Sequence, residues 1–214
     1  MTPAAGRRAI TALLLCLPVL CAGCGGLFGK AQDRPLYRLN PNVALAQTPP
    51  RSGALVVIAT PIAAAGLDTN RMALIRSPVA IDYYADGEWV DRPPFLVKQA
   101  LIEGFQKSGA FAGIASEGLG LNANYVLNTT IRDFTAVYDK PDGPPLARVR
   151  LAVELIAMPD RNIAAATSIT REARAGAADL PSVVQAFDSA LGDAVQAVIV
   201  WAATNPALSS PKRK

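Results

Sequence analysis

The sequence YVLNTTIR at residues 125–132 carries the clearest β pattern in the chain. Tyr, Leu, Thr and Ile occupy its odd positions, whereas Asn128, Thr130 and Arg132 occupy even ones. Residues two apart on a strand share a face. The pattern therefore predicts a strand with one buried face and one polar face.

Two later stretches extend this pattern into a sheet. Residues 149–155 alternate in the same way, and residues 163–173 do so more weakly. The sequences PDGP at 141–144 and PDRN at 159–162 supply the turns between them. We predict a three-stranded antiparallel meander. Its polar face carries Asn128, Thr130, Arg132, Arg148, Arg150 and Glu154.

A long helix is predicted after the meander. Asp179 and Pro181 are typical of a helix start, and Asn205-Pro206 of its end. The apolar positions recur at helical spacing and are Val184, Phe187, Leu191, Val195, Val198 and Trp201. Polar residues interrupt this apolarity, so we expect the helix to pack on the sheet and not to span a membrane.

The first half of the chain predicts shorter elements. The run ALVVIA at 54–59 suits a buried strand, and Asp86-Gly87 indicates a hairpin turn. Pro93 and Pro94 begin an amphipathic helix that ends near Ser108-Gly109. Further strands are predicted at 36–39, 72–76, 79–84, 88–90 and 111–116. The predicted fold class is α/β (α+β), with a mixed, largely antiparallel sheet and two main helices packed on it.

The amino terminus resembles a bacterial export signal. Arg7 and Arg8 precede an apolar run over residues 9–20, which is about half the length that a bilayer-spanning helix needs. Ala22 and Gly23 then precede Cys24, as in the lipobox whose cysteine is lipidated. The alternative is an ordinary secreted protein cut nearby. We predict a signal peptide at 1–23, a lipid-anchored linker at 24–34, one compact domain at 35–205 and a disordered basic tail at 206–214.

Composition excludes several functional classes. The chain has 21 basic and 17 acidic residues; residues 1–23 hold two of the basic ones, so the remainder is close to neutral and does not indicate a nucleic-acid partner. The chain contains no histidine, and its three cysteines all lie within the first 24 residues. Zinc and thiol chemistry are therefore not expected, and no cofactor is predicted. An enzyme is disfavoured because no activating base accompanies a nucleophile; Ser209 and Lys212 have suitable spacing but lie in the predicted tail.

The order of these parts resembles the ABC-type transport auxiliary lipoprotein family, which includes paraquat-inducible protein C and the YmbA-like lipoproteins. A lipobox is followed by Tyr37-Arg38-Leu39, then by a buried strand, Leu67-Asp68 and the run RMALIR at 71–76. Trp89 stands ahead of the first helix, and a meander precedes the last. The resemblance covers about residues 36–203.

This resemblance implies a non-enzymatic accessory of a lipid-moving ABC system of the mammalian-cell-entry type. The accessory is tethered to the outer membrane, faces the periplasm and meets the system's periplasmic substrate-binding protein. The resemblance allows a homo-oligomeric ring. A structural or assembly lipoprotein that helps a barrel or a polysaccharide exporter is the alternative function.

The family pattern carries no catalytic residue to this chain. It matches Tyr37 and Leu39, which we expect in the core, and four residues that could contact a partner. These four are Asp68, Arg71, Arg76 and Trp89. Arginine and tryptophan are enriched at interface centres. The alternative is structural, since an arginine on a strand is usually solvated and a tryptophan before a helix usually packs.

Overall fold

The computed structural model describes residues 34–45, 48–118, 120 and 122–209. These described residues form one compact unit. The predicted signal peptide, Cys24 and the linker up to residue 33 lie outside the described residues. The strands are β1 (Leu36–Tyr37), β2 (Ser52–Ile58), β3 (Ile62–Ala63), β4 (Arg71–Ser77), β5 (Ala80–Trp89), β6 (Phe111–Ser116), β7 (Tyr125–Val137), β8 (Leu146–Ala157) and β9 (Asn162–Arg174). The helices are α1 (Pro93–Ser108), α2 (Leu180–Thr204) and α3 (Pro206–Ser209).

Strand β7 lies at the centre of the sheet and pairs with other strands along both of its sides. Its 13 residues pair along one side with β8, antiparallel, and β8 pairs in turn with β9. The other side of β7 pairs in succession with β2, β3 and β4, all parallel. Strand β6 extends the sheet beyond β2, while β5 and β1 extend it beyond β4. The predicted meander and the α+β class with a mixed sheet are confirmed.

The described strands contain more parallel pairings than the sequence suggests. Five of the eight strand pairs are parallel, although the two longest ladders are the antiparallel ones of the meander. The connection from β2 to β6 includes α1, which provides the crossover that parallel neighbours require.

The predicted hairpin turn at Asp86-Gly87 is wrong. The chain turns instead at Pro78 and Val79, because Ser77 pairs with Ala80. Strand β5 continues through Asp86 and Gly87, where its register against β4 shifts. The physical reason is close packing, since a Cβ on Gly87 would lie 2.6 Å from the Tyr37 ring.

The two main helices cover one face of the sheet. Helix α2 packs on β8, β9 and α1, and α1 packs on β2, β3 and β6. The predicted start of α2 is confirmed, because the Asp179 side chain accepts a hydrogen bond from the Ser182 N–H at 2.9 Å. Helix α2 is long and apolar enough to cross a membrane, but 61% of its most apolar window is buried within the domain. A mostly buried core helix passes the same test.

The residues after α2 correct the predicted tail. Residues 206–209 form α3, and the Leu208 side chain is fully buried. Ser52 Oγ donates to the Leu208 carbonyl at 2.7 Å, and the Tyr125 hydroxyl donates to the Ala207 carbonyl at 2.5 Å. Alternation alone does not reveal these contacts, because they join segments far apart in the sequence. Residues 210–214 lie outside the described residues.

Candidate partner-binding surface

Trp89, predicted to contact a partner, belongs to the core. Its side chain is 1% exposed. The ring meets Phe187 of α2 at 5.2 Å between centroids and Phe134 of β7 at 5.8 Å, both edge-on, and those two phenylalanines stack at 4.9 Å. A side chain so enclosed offers no area to a partner. The structure therefore supports the alternative interpretation, in which Trp89 packs in the core.

Asp68 and Arg71 lie at the same end of the sheet as Trp89. Arg71 pairs in register with Glu88, and its guanidinium lies 3.7 Å from the centroid of the Tyr83 ring. Asp68 Oδ1 lies 3.0 Å from Arg92 Nη1, an off-axis approach that makes an ion pair without a hydrogen bond. The Asp68–Arg92 ion pair joins the loop before β4 to the residue that precedes α1, whereas the Arg71 side chain contacts β5.

Arg76 lies apart from the other three. It sits five residues beyond Arg71 on β4, or about 17 Å at the rise of an extended strand. Its guanidinium lies 5.0 Å from the Tyr138 ring centroid, and the Tyr138 and Tyr84 hydroxyls are 2.8 Å apart. Burial, together with this hydrogen bond, raises the pKa of Tyr84 far above its usual value. Tyr84 therefore stays neutral, and Arg76 lies over the ring of Tyr138, to which Tyr84 is hydrogen-bonded.

The face of the meander turned away from the helices is polar, as predicted. Asn128 pairs with Glu154 across strands, with Nδ2 donating at 3.3 Å, and Arg148 Nε donates to Glu172 at 2.5 Å. Arg148 also approaches Asp133 Oδ2 at 3.8 Å. Exposed pairs of this kind contribute little to the stability of the fold. Their side chains can therefore rearrange to contact a partner at little cost in stability.

A depression lies on this face beneath the β4–β5 turn, with a volume of about 340 Å³. We call it the hairpin groove. Its apolar wall comes from Leu67, Ile75, Val79 and Ile81, and its basic rim from Arg132 and Arg150. Val79 is 94% exposed and Ile81 is 46% exposed. Alternation does not reveal this groove, because its wall forms only when β4 and β5 fold back on each other. The chain turns there next to Ser77-Pro78, the break predicted between the strands at 72–76 and 79–84.

Thr60, Lys98 and Glu117 form a tight cluster of reactive side chains. Lys98 Nζ lies 2.8 Å from Thr60 Oγ1 and 3.2 Å from Glu117 Oε1, and the Thr60 hydroxyl donates to the same carboxylate oxygen. The Thr60 hydroxyl, followed by Lys98, lowers the pKa of Glu117. Because its pKa is lowered, the Glu117 carboxylate is a weak base toward the Thr60 hydroxyl whose hydrogen bond it accepts. The cluster therefore acts as a clamp joining α1 to the ends of β2 and β6.

Within the described residues, no group of three or more histidine, cysteine or acidic side chains could hold a metal ion.

A family model described as ABC-type transport auxiliary lipoprotein component matches residues 37–199. The chain belongs to that family. Its members are lipoprotein components associated with ABC transport systems in the cell envelope, and the family is not a known enzyme family.

Solved structures share the fold of this auxiliary lipoprotein. The crystal structure of a Xanthomonas campestris protein matches with a TM-score of 0.72 and 21% identity, covering 79% of this chain and 95% of that one. An uncharacterized protein matches with a TM-score of 0.56 and 12% identity, covering 78% and 96%. PelC from Paraburkholderia phytofirmans, crystallised as a dodecamer, matches with a TM-score of only 0.42 and 16% identity, covering 72% of this chain and 93% of that one. No curated protein matches the sequence.

Proposed function

We propose that this auxiliary lipoprotein is anchored in the outer membrane by lipid on Cys24 and assists a mammalian-cell-entry type ABC lipid transport system. It faces the periplasm and binds the system's periplasmic substrate-binding protein. The family match over residues 37–199 carries this proposal, since it ties the domain to an ABC transport system. The family match does not identify the partner, and the mammalian-cell-entry component is proposed because the sequence resembles the accessory lipoproteins of such systems.

The arrangement of the surface supports a binding role. The two helices bury one face of the sheet, and the other face presents unburied polar side chains and the hairpin groove. Polar rims around small apolar centres are typical of surfaces that associate without merging cores. Arg76 and the Asp68–Arg71 region are secondary candidates for the same partner. The low basicity of Glu117 disfavours nucleophilic catalysis by Thr60, which fits the proposed non-enzymatic role.

The anchor is tested by comparing two cysteine substitutions. Cys24→Ser should abolish lipid labelling and leave a soluble or uncleaved protein, because stable anchoring requires acyl chains. Cys21→Ser is the matched control, since Cys21 lies within the predicted signal peptide, and it should be lipidated normally. A Cys24→Ser protein that is processed and still fractionates with outer membrane would exclude the anchor.

Sorting and partner binding are tested separately. Gly25, in place of an aspartate, follows Cys24, which favours the outer membrane by resemblance to enterobacterial lipoproteins. Recovery with inner membrane alone in a density gradient would reject this location. The detergent-solubilised lipoprotein should bind the purified periplasmic region of the mammalian-cell-entry component, and failure to bind would reject the partner. Lipid hydrolysis above background by the purified protein would reject the non-enzymatic role.

A further inference from the structure

The hairpin groove combines an exposed apolar wall with unneutralised positive charge. Val79 projects into solvent at the tip, and Ile75 and Ile81 flank it along the strands. Among the described residues, Arg132 and Arg150 have no carboxylate within ion-pair distance, whereas Arg148 contacts both Asp133 and Glu172. Arg132 and Arg150 therefore remain available to an external acidic group.

The floor of the groove is buried, and its polar side chains are hydrogen-bonded to each other. Asp133 is 8% exposed and Thr135 is 2% exposed, and the Thr135 hydroxyl donates to Asp133 Oδ1 at 2.6 Å. Arg148 lies 3.8 Å from the other carboxylate oxygen. Because Asp133 is satisfied from its own side, it does not compete for Arg132 and Arg150. The two guanidinium groups thus lie beside a buried, hydrogen-bonded floor and keep no ion pair of their own within the described part of the chain.

We propose that the hairpin groove binds an acidic segment of a partner protein, with an aliphatic or aromatic side chain seated against Val79 and Ile81. Carboxylates of that segment pair with Arg132 and Arg150, for which the planar guanidinium is well suited. This inference rests on the proposed function, because it takes the partner to be the periplasmic component of the transport system. It adds the site of contact and the chemistry of the contacting segment.

The register of the sheet favours a partner protein over the anchoring membrane. Leu36, two residues after the start of the described chain, pairs with Glu88 at the far end of β5. The tip at Ala80 lies eight residues earlier on that strand, roughly 25 Å away at 3.3 Å per residue. The chain segment leading from the proposed anchor therefore enters the domain at the end remote from the groove.

The chain's own carboxyl terminus is a poor occupant. Lys212, Arg213 and Lys214 carry the same sign of charge as the two free arginines. Like charges brought together in this way repel, whereas an acidic segment is attracted. Charge complementarity thus selects an acidic partner over the basic terminus.

The experiment measures the affinity of the full-length lipoprotein, held in neutral-lipid nanodiscs, for the purified periplasmic region of the mammalian-cell-entry component. The double variant Arg132→Glu and Arg150→Glu should weaken binding at least about tenfold and remove most of its salt dependence. Val79→Ser should weaken binding about tenfold without altering the salt dependence. Unchanged circular dichroism would show that these exposed substitutions leave the fold intact.

Matched controls lie elsewhere on the same sheet. Arg171→Glu reverses an exposed arginine of β9 that hydrogen-bonds to the neighbouring Thr170 carbonyl, and Ile163→Ser removes an exposed aliphatic side chain of β9. Both should bind like the wild type. An equal loss in the controls would indicate a nonspecific effect of charge or polarity and would overturn the groove proposal.

The remaining outcomes separate the two proposals. If the wild type binds the partner and the groove variants bind equally well, the groove proposal fails and the proposed function stands. If the wild type does not bind, the proposed function fails and the groove proposal fails with it. If the groove variants leave partner affinity unchanged but reduce flotation of the unlipidated Cys24→Ser chain with phosphatidylglycerol vesicles, the occupant is a membrane, and the proposal is overturned.

Discussion

Truncation of Trp89 should destabilise the domain severely. The side chain is 1% exposed and touches Phe134 and Phe187 edge-on, so Trp89→Ala removes an indole and two aromatic contacts and leaves a cavity. Replacing a buried tryptophan by alanine lowers the free energy of unfolding by about 3–5 kcal/mol. Each edge-on aromatic contact that is lost contributes about 0.5–1.5 kcal/mol. A domain of this kind has a free energy of unfolding of about 5–15 kcal/mol. The variant should therefore lose between about a fifth and all of its free energy of unfolding.

The measurement is urea unfolding followed by circular dichroism. With a slope of about 2 kcal/mol per molar urea, the midpoint should fall by roughly 2 M. Arg71→Ala is the matched control at the same end of the sheet, because it removes only an exposed cation–π contact worth about 0.5–1 kcal/mol. A loss below about 1 kcal/mol for Trp89→Ala, or equal losses for both variants, would refute the assignment of Trp89 to the core.

Three further predictions concern packing, capping and pH. Gly192→Ala should lower the free energy of unfolding by about 1 kcal/mol in denaturant titration, because the new Cβ would lie 2.8 Å from the Asn42 carbonyl oxygen and overpacking outweighs the gain in helix propensity; a stabilised variant would contradict this. Asp179→Ala removes the cap on the Ser182 N–H and should lower Tm by about 2–4 °C in a calorimetric scan, while Asp179→Asn should keep most of the stability. Hydrogen bonds from Thr60 lower the pKa of Glu117, so its stabilisation is complete above about pH 5 and is lost as the pH falls through the lowered pKa. Glu117→Gln should therefore flatten the dependence of Tm on pH below about pH 5, and an unchanged slope would count against the clamp.

Local pattern was sufficient for the elements that bury one face. The alternation over 125–132 and 149–155 predicted β7 and β8, because apolar residues at every second position share one buried face only when the chain is extended. The two main helices were also predicted from local sequence. Pro93 and Asp179 mark helix starts through backbone and capping chemistry that acts within one turn.

The candidate surface could be predicted only in part. The polar face of the meander follows directly from alternation, and Arg132 and Arg150 were placed on it. The apolar wall of the hairpin groove was missed, because it depends on where β4 turns into β5. Asp86-Gly87 is a sequence typical of a turn, but here Gly87 lies within β5. The Tyr37 ring packs so closely against Gly87 that a side chain at this position would clash with it.

The sequence by itself determined the class of fold, the meander, the two helices and the near-neutral, histidine-free composition that disfavours metal and nucleophilic chemistry. Each of these depends on residues close together in the chain. Only the tertiary structure decided that Trp89 lies in the core, that β2, β3 and β4 share one side of β7, and that Val79 stands beside Arg132 and Arg150. These features arise from contacts between segments distant in sequence, which local propensity and periodicity do not encode.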